Sequence, residues 1–324
     1  MPHKFNASRR HRIPKAKYKV LNWSEYDRGL VQRGDIRFWI DQRVLDEWAA
    51  PIRSTPGGQR RYSDIAVSTT LMLGAVFGLP LRQTEGFVRS IFALMGCELI
   101  VPDHTTLARR RRTVSVNPEV STNRWPTDIA LDSTGLKFFG SGEWARQKHG
   151  ETRRAWRKFH ISVDPATGEI RAHELTDDSV GDSTMAGPLV AASGGQIKRV
   201  FCDGAYDGDP VTEAIRSVRP NGSPPKIIAP PRKDSIPPPD QAHGGSEREC
   251  HAAEIAKYGR MAWQKRHDYG KRALVETAVS RIKSLNKGRL TARTFGSQKT
   301  EVAIQVAVLN RMIRAAKPVT VRVA

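Results

Sequence analysis

Asp128-Ile-Ala-Leu-Asp132-Ser-Thr-Gly135 is a short apolar run held between two acids, and the period of the chain changes across it. After it, Phe159, Ile161 and Val163 alternate with Lys158, His160 and Ser162, the period of two that a strand adopts. Asp164-Pro-Ala-Thr-Gly168 then turns the chain into a partner strand over residues 169–175, so a hairpin follows the first strand. Residues 183–192 fit a helix, 198–203 a fourth strand, 210–218 a helix and Lys226-Ile-Ile-Ala229 a fifth strand. Three strands, helix, strand, helix, strand describe a mixed α/β sheet. A Pro-rich stretch, 230–239, leaves that sheet, and residues from about 246 to 316 read as helical.

Upstream, residues 62–77 and 82–95 suit two helices joined at Leu79-Pro80-Leu81. A third, short helix opens at Asp103-His-Thr-Thr106 and carries Arg109, Arg110, Arg111 and Arg112. This pattern suits a helix-turn-helix reader of DNA and an ordinary helical subdomain with a basic end equally well. Residues 1–19 hold Lys4, Arg9, Arg10, Arg12, Lys15, Lys17 and Lys19 without an acid, and read as a flexible basic arm. The expected division is a basic arm at 1–19, a helical region at 20–118, an α/β domain at 119–316 and a tail at 317–324.

Fifty-three Lys and Arg against 33 Asp and Glu leave a formal charge of +20, while a 39% hydrophobic content argues against general disorder. The charge-free stretch 66–81 contains Ser68, Thr69, Thr70 and Pro80 and falls short of the ~20 apolar residues of a membrane span. Three cysteines, Cys97, Cys202 and Cys250, make neither a disulfide framework nor a metal spacing, and the N-terminus lacks the apolar run of a signal peptide. The expectation is an intracellular, reduced protein with no membrane association. Cations recur along the whole chain instead of clustering beside an anchor, which favours nucleic acid over a lipid surface as the polyanion they meet.

Acids at the carboxyl ends of strands are where an α/β sheet gathers its chemistry. Asp132 closes the first strand and Asp203 the fourth; Asp128 belongs to the opposite end, and Asp207 reads as a cap for the helix at Pro210. A third acid stands on a helix beginning near Tyr269. At about 100° per residue, Tyr269, Arg272, Glu276 and Lys283 share an arc of about 60°, and Leu274, Ala278, Ile282 and Leu285 take the other side. An Arg272–Glu276 pair in this order adds only a few tenths of a kcal/mol to a helix, so stability explains the face poorly. Three carboxylates brought together repel unless a dication neutralises them, and hard oxygen ligands point to Mg²⁺ or Mn²⁺. Two such ions support in-line displacement at phosphorus. Cys250-His251 with His243 and His267 lacks a zinc spacing, and His149, His160 and His173 read as hydrogen-bonded surface groups. Trp144 and Trp156 flank a basic loop with Arg146, Lys148, Arg153, Arg154, Arg157 and Lys158 that suits stacking on DNA.

The spacing Tyr269-x2-Arg272-x3-Glu276-x6-Lys283 resembles the Tyr-Arg-Glu-Lys signature of bacterial insertion-sequence transposases of the DDE class. Leu79-Pro-Leu-Arg-Gln-Thr-Glu-Gly86, Asp132-Ser-Thr-Gly135, Gly142-Glu-Trp144, Trp156-Arg-Lys158, Asp203-Gly-Ala-Tyr-Asp207, Pro230-Pro-Arg-Lys233 and Leu309-Asn-Arg-Met312 look like blocks of that family in order. The resemblance implies a ribonuclease H-like core with Asp132, Asp203 and Glu276 as catalytic, metal-binding acids using Mg²⁺, with Mn²⁺ as substitute. It implies that Tyr269, Arg272 and Lys283 contact the DNA backbone; Arg109 to Arg112, Arg154 and Arg157 are further DNA-binding candidates by their charge and placement. Its partners would be double-stranded DNA, as terminal inverted repeats and as target, and a second copy on paired ends, in the cytoplasm at the bacterial nucleoid. A DNA-binding repressor and a nuclease that cuts without joining are the competing readings.

Overall fold

The strands β2 (Asp128–Phe138), β3 (Trp156–Val163) and β4 (Ile170–Asp177) form an antiparallel meander. They belong to a computed structural model that describes residues 17–54, 56–121, 128–138, 156–218, 223–232, 235 and 245–323. The reverse turn from β3 to β4 is closed by Asp164, whose carboxylate accepts the Ala166 amide at 2.7 Å, with Gly168 at φ 81°. On the other side of β2 lie β5 (Arg199–Phe201) and β6 (Lys226–Ile228), both parallel to it, giving the order β4-β3-β2-β5-β6. The short β7 (Arg289–Leu290) runs parallel beside the far end of β2. The helix α7 (Ala186–Ala192) leads from β4 to β5, and α8 (Asp209–Ser217) from β5 to β6. The sheet is mixed and flanked by helices, in general terms the ribonuclease H-like arrangement expected.

β2 differs from its expected form. It continues well past Asp132, because antiparallel pairing with β3 runs on to Lys137↔Trp156. Alternation sorts its side chains by face: Ile129 and Leu131 pack on α7 and α8 with Leu189, Val211 and Ile215. Ala130 and Leu136 turn to the other face, into a core with Phe159, Ile161, Trp263, Val275 and Ile282. That face is covered by α9 (Glu247–Tyr258), α10 (Arg260–Arg266), α11 (Ala273–Asn286) and α12 (Phe295–Ala315).

The upstream helices are α1 (Trp23–Gln32), α2 (Ile36–Trp39), α3 (Gln42–Asp46), α4 (Asp64–Val76), α5 (Leu81–Leu94) and α6 (His104–Arg110). Ser63 caps α4 by accepting the Ala66 amide, and Asp103 caps α6 through the Thr105 and Thr106 amides. α4 is buried almost all round, and no single helix among the described residues is long and apolar enough to cross a membrane. Their core, built on Trp39, Trp48, Leu73 and Phe92, also contains Ile304, Ala307 and Val308 of α12. Val302, Val306 and Leu309 of the same helix enter the sheet core, so α12 is common to both. Lys17–Val20, the end of the basic arm as read, forms the strand β1, which pairs antiparallel with β8 (Thr320–Val323) in the tail.

Candidate active site

Register brings the first two acids together. Ala130 of β2 pairs with Phe201 of β5, and Asp132 and Asp203 each lie two residues beyond that pair. Asp132 stays inside β2, just past the point where its pairing with β5 ends, and Asp203 follows β5, so the equal offset sets both acids on the same side of the sheet. Asp203 accepts the Ala205 amide at 2.9 Å and so opens a 3-10 turn, Gly204–Tyr206.

The expected single helix from Tyr269 is instead a 3-10 turn, Tyr269–Arg272, followed by α11. The turn is held at three points. Tyr269 donates its hydroxyl to the Cys202 carbonyl at 3.1 Å and stacks at an angle on Trp263. Lys271 donates to Asp128 at 2.9 Å, and Asp128 also receives Arg199 at 2.9 and 2.7 Å. This Asp128 network is the part that sequence reasoning missed. It joins residues far apart in the chain, so no local pattern signals it.

Arg272 consequently sits among all three expected acids. Its guanidinium lies 2.8 Å from Glu276, 3.3 Å from Asp132 and 3.8 Å from Asp203. Asp132 and Arg272 are largely buried, whereas Asp203 and Glu276 are substantially exposed. Burial raises the carboxyl pKa of Asp132; Arg272 and the Ser133 amide oppose that rise, and the charges of Asp203 and Glu276 add to it. For Arg272 burial works against the charge, yet Asp132, Tyr269, Asp203 and Glu276 together keep its pKa above the ordinary value. Its Nε is buried without a hydrogen-bond partner. Three acids from three elements around one cation supply an excess of hard oxygen donors, a set that fits Mg²⁺ or Mn²⁺.

Asp207, the alternative second acid, is engaged elsewhere. It does not cap α8. Its buried carboxylate receives Arg248 at 2.7 and 3.2 Å and the Arg232 amide at 3.1 Å. The described residues also bring His251, Glu254 and His267 together, with ligand atoms within 4.8 Å of one another, so this group could coordinate a metal ion. Both ring nitrogens of His251 are already engaged, Nδ1 by the Trp263 indole N–H at 3.0 Å and Nε2 by the Ile227 carbonyl at 3.0 Å. His267 pairs with Glu254 at 2.6 Å.

The other sequence candidates are scattered. Arg110 pairs with Asp64 and donates to the Tyr62 carbonyl at 3.0 Å, and Arg111 pairs with Glu301 at 3.0 Å, so both tie α6 to its neighbours. Arg109 and Arg112 are exposed. Arg157 pairs with Asp177 and lies between the Phe138 and Phe295 rings. Lys283 stands on α11 with no ion pair among the described residues. Arg154, Trp144 and His149 lie outside the described residues. His160, read as a surface group, is wholly buried and bonds Thr176 at 2.9 Å.

Residues 126–311 match a protein-family model described as a transposase DDE domain, and residues 31–141 match a second model of the same description. The first spans more than half of the chain, and the chain belongs to the DDE transposase family. Membership brings DDE-type transposase or nuclease chemistry in general terms. Among solved structures, a piggyBac transposase synaptic complex with hairpin DNA aligns with 92% of this chain and 77% of its own at 10% identity, with a TM-score of 0.39. A likeness of that size carries no argument about this chain.

Proposed function

We propose that the chain is an insertion-sequence transposase that cleaves DNA at the terminal inverted repeats of its element and joins the freed 3′ ends to target DNA. The observation that supports this reading above all is the convergence of Asp132, Asp203 and Glu276 on Arg272. Asp132, Asp203 and Glu276 would hold Mg²⁺ or Mn²⁺, which when bound activates the attacking oxygen and steadies the leaving one. Burial of Asp132 and the strand register keep the carboxylates placed without substrate. Arg272 serves as their counter-charge in the free protein and turns to a backbone phosphate beside the scissile bond when DNA is seated. Lys283 holds a second phosphate farther along α11. Paired ends are held by two copies of the chain.

The test uses Asp132→Asn, Asp203→Asn and Glu276→Gln, each assayed for end binding by gel shift, for cleavage, and for strand transfer with pre-cut ends. Binding should survive within about threefold while both reactions fall by at least a hundredfold, a loss of roughly 2.7 kcal/mol or more of transition-state stabilisation. Wild-type cleavage by any of the three variants would overturn the assignment of that acid. Cleavage without transfer by the wild type would reduce the reading to a nuclease.

A further inference from the structure

Away from the three acids, α1, the outer flank of α11 and the end of α12 enclose a cavity of about 270 Å³ lined by Arg33, Arg281 and Lys317 with no carboxylate in its wall. Such a volume lies just below the pockets that hold drug-sized molecules, and suits one compact group. Arg33 is fixed in place: its Nη2 donates to the Ala316 carbonyl at 2.8 Å, and its guanidinium lies 5.8 Å from the Tyr26 ring centre. Its Nε is buried and donates to nothing. Arg281 has no ion pair or hydrogen bond among the described residues. Burial holds the Arg33 pKa below the ordinary value; Tyr26 opposes that fall, and the charge of Arg281 adds to it. Two guanidinium groups thus face one partly desolvated space and repel, a placement that packing alone does not favour.

From this we infer that the cavity is a phosphate-binding site, with Arg33 and Arg281 as the charged ligands. An oxyanion in the cavity would relieve the repulsion between the two arginines. The group recognised is either a backbone phosphodiester of nucleic acid or free inorganic phosphate. The site is separate from the cleavage chemistry, because Arg281 and Glu276 leave α11 on different sides of the helix.

The experiment compares the full chain with Arg281→Gln and Arg281→Lys. Melting is followed in sodium phosphate and in sodium chloride at equal ionic strength, and binding of a duplex is measured against salt. Phosphate should raise the wild-type Tm by about 2 °C or more over chloride, and Arg281→Gln should lose that rise while Arg281→Lys keeps part of it. If the occupant is a DNA phosphodiester, Arg281→Gln also reduces the log–log salt slope by about 0.9. An unchanged slope with the phosphate effect lost assigns the site to free phosphate. Equal melting in the two salts, together with an unchanged slope in Arg281→Gln, overturns the site. The phosphate arm needs no DNA, so it decides the matter even if the transposase reading fails.

Discussion

One guanidinium, Arg272, stands where three carboxylates meet, and its loss should be felt in stability as well as in chemistry. As a phosphate contact alone, its removal would leave melting unchanged. As the counter-charge of a buried Asp132, its removal should cost roughly 1–3 kcal/mol near neutral pH. The pH sign follows from Asp132: its folded pKa is raised, so its contribution is fully present below about 3.9 and is lost as pH rises through the folded value. Arg272→Ala should therefore melt nearest to wild type in acid and fall progressively behind toward pH 7, measured by calorimetry across that range. Asp207 and Asp203 offer the opposite contrast. Asp207→Asn removes the buried negative charge that Arg248 faces and should cost about 2 kcal/mol, less than a fully buried pair because Arg248 is a third exposed. Asp203→Asn should hold the wild-type melting temperature and lose cleavage. The reverse result would exchange the two assignments.

α11 carries its division of labour along its length. Val275, Ala278 and Ile282 make the buried stripe, while Leu274, expected on that stripe, is exposed because it lies about 40° outside the arc of about 60° that those three span. Ile282→Asp places a charge in the sheet core and should destabilise by at least about 3 kcal/mol, whereas Lys283→Ala should stay within about 0.5 kcal/mol and weaken end binding. Chemical denaturation with gel shifts on the two variants separates these roles. A second element contact is steric. A Cβ at Gly29 would meet the Ala316 Cβ at 2.1 Å, so Gly29→Val should push α1 off the end of α12 at a cost of about 1–3 kcal/mol in the same denaturation assay.

At the scale of the whole molecule, α12 contributes to the helical core and to the sheet core at once. The two regions should unfold together, giving one calorimetric transition with equal van't Hoff and calorimetric enthalpies. Two resolved transitions would show that they fold independently. Burial lowers the pKa values of His160 and His251, and brings His173 down to about 4. Each folded pKa is depressed, so stability present above about 6.5 is lost as pH falls toward the folded value. The acid limb of the stability profile should begin well above the carboxylate range, and His173→Phe should flatten it between pH 6.5 and 4. The net charge of +20 adds a steep salt dependence of DNA binding, with a log–log slope near −7 for contacts to about 8 phosphates.

What the sequence determined by itself is local or periodic: the alternation that makes β3, the Asp164–Gly168 turn, the opening of α6 at Asp103, and the spacing of Arg272, Glu276 and Lys283. Those features act over a few residues, where φ/ψ preference and side-chain period are decided. Asp203 was legible as a carboxylate at a strand end and the family spacing singled out Glu276, whereas Asp132, expected to close its strand, stands inside β2. Only the tertiary structure decided that β5 pairs with β2 in the register that sets Asp203 beside Asp132. It decided that Arg272 reaches Asp132 across 140 residues of chain, that Asp207 belongs to Arg248 and not to a helix cap, and that Arg33 and Arg281 share a cavity. The physical reason is that a charge finds its partner by strand register and helix packing, which no window of neighbouring residues contains.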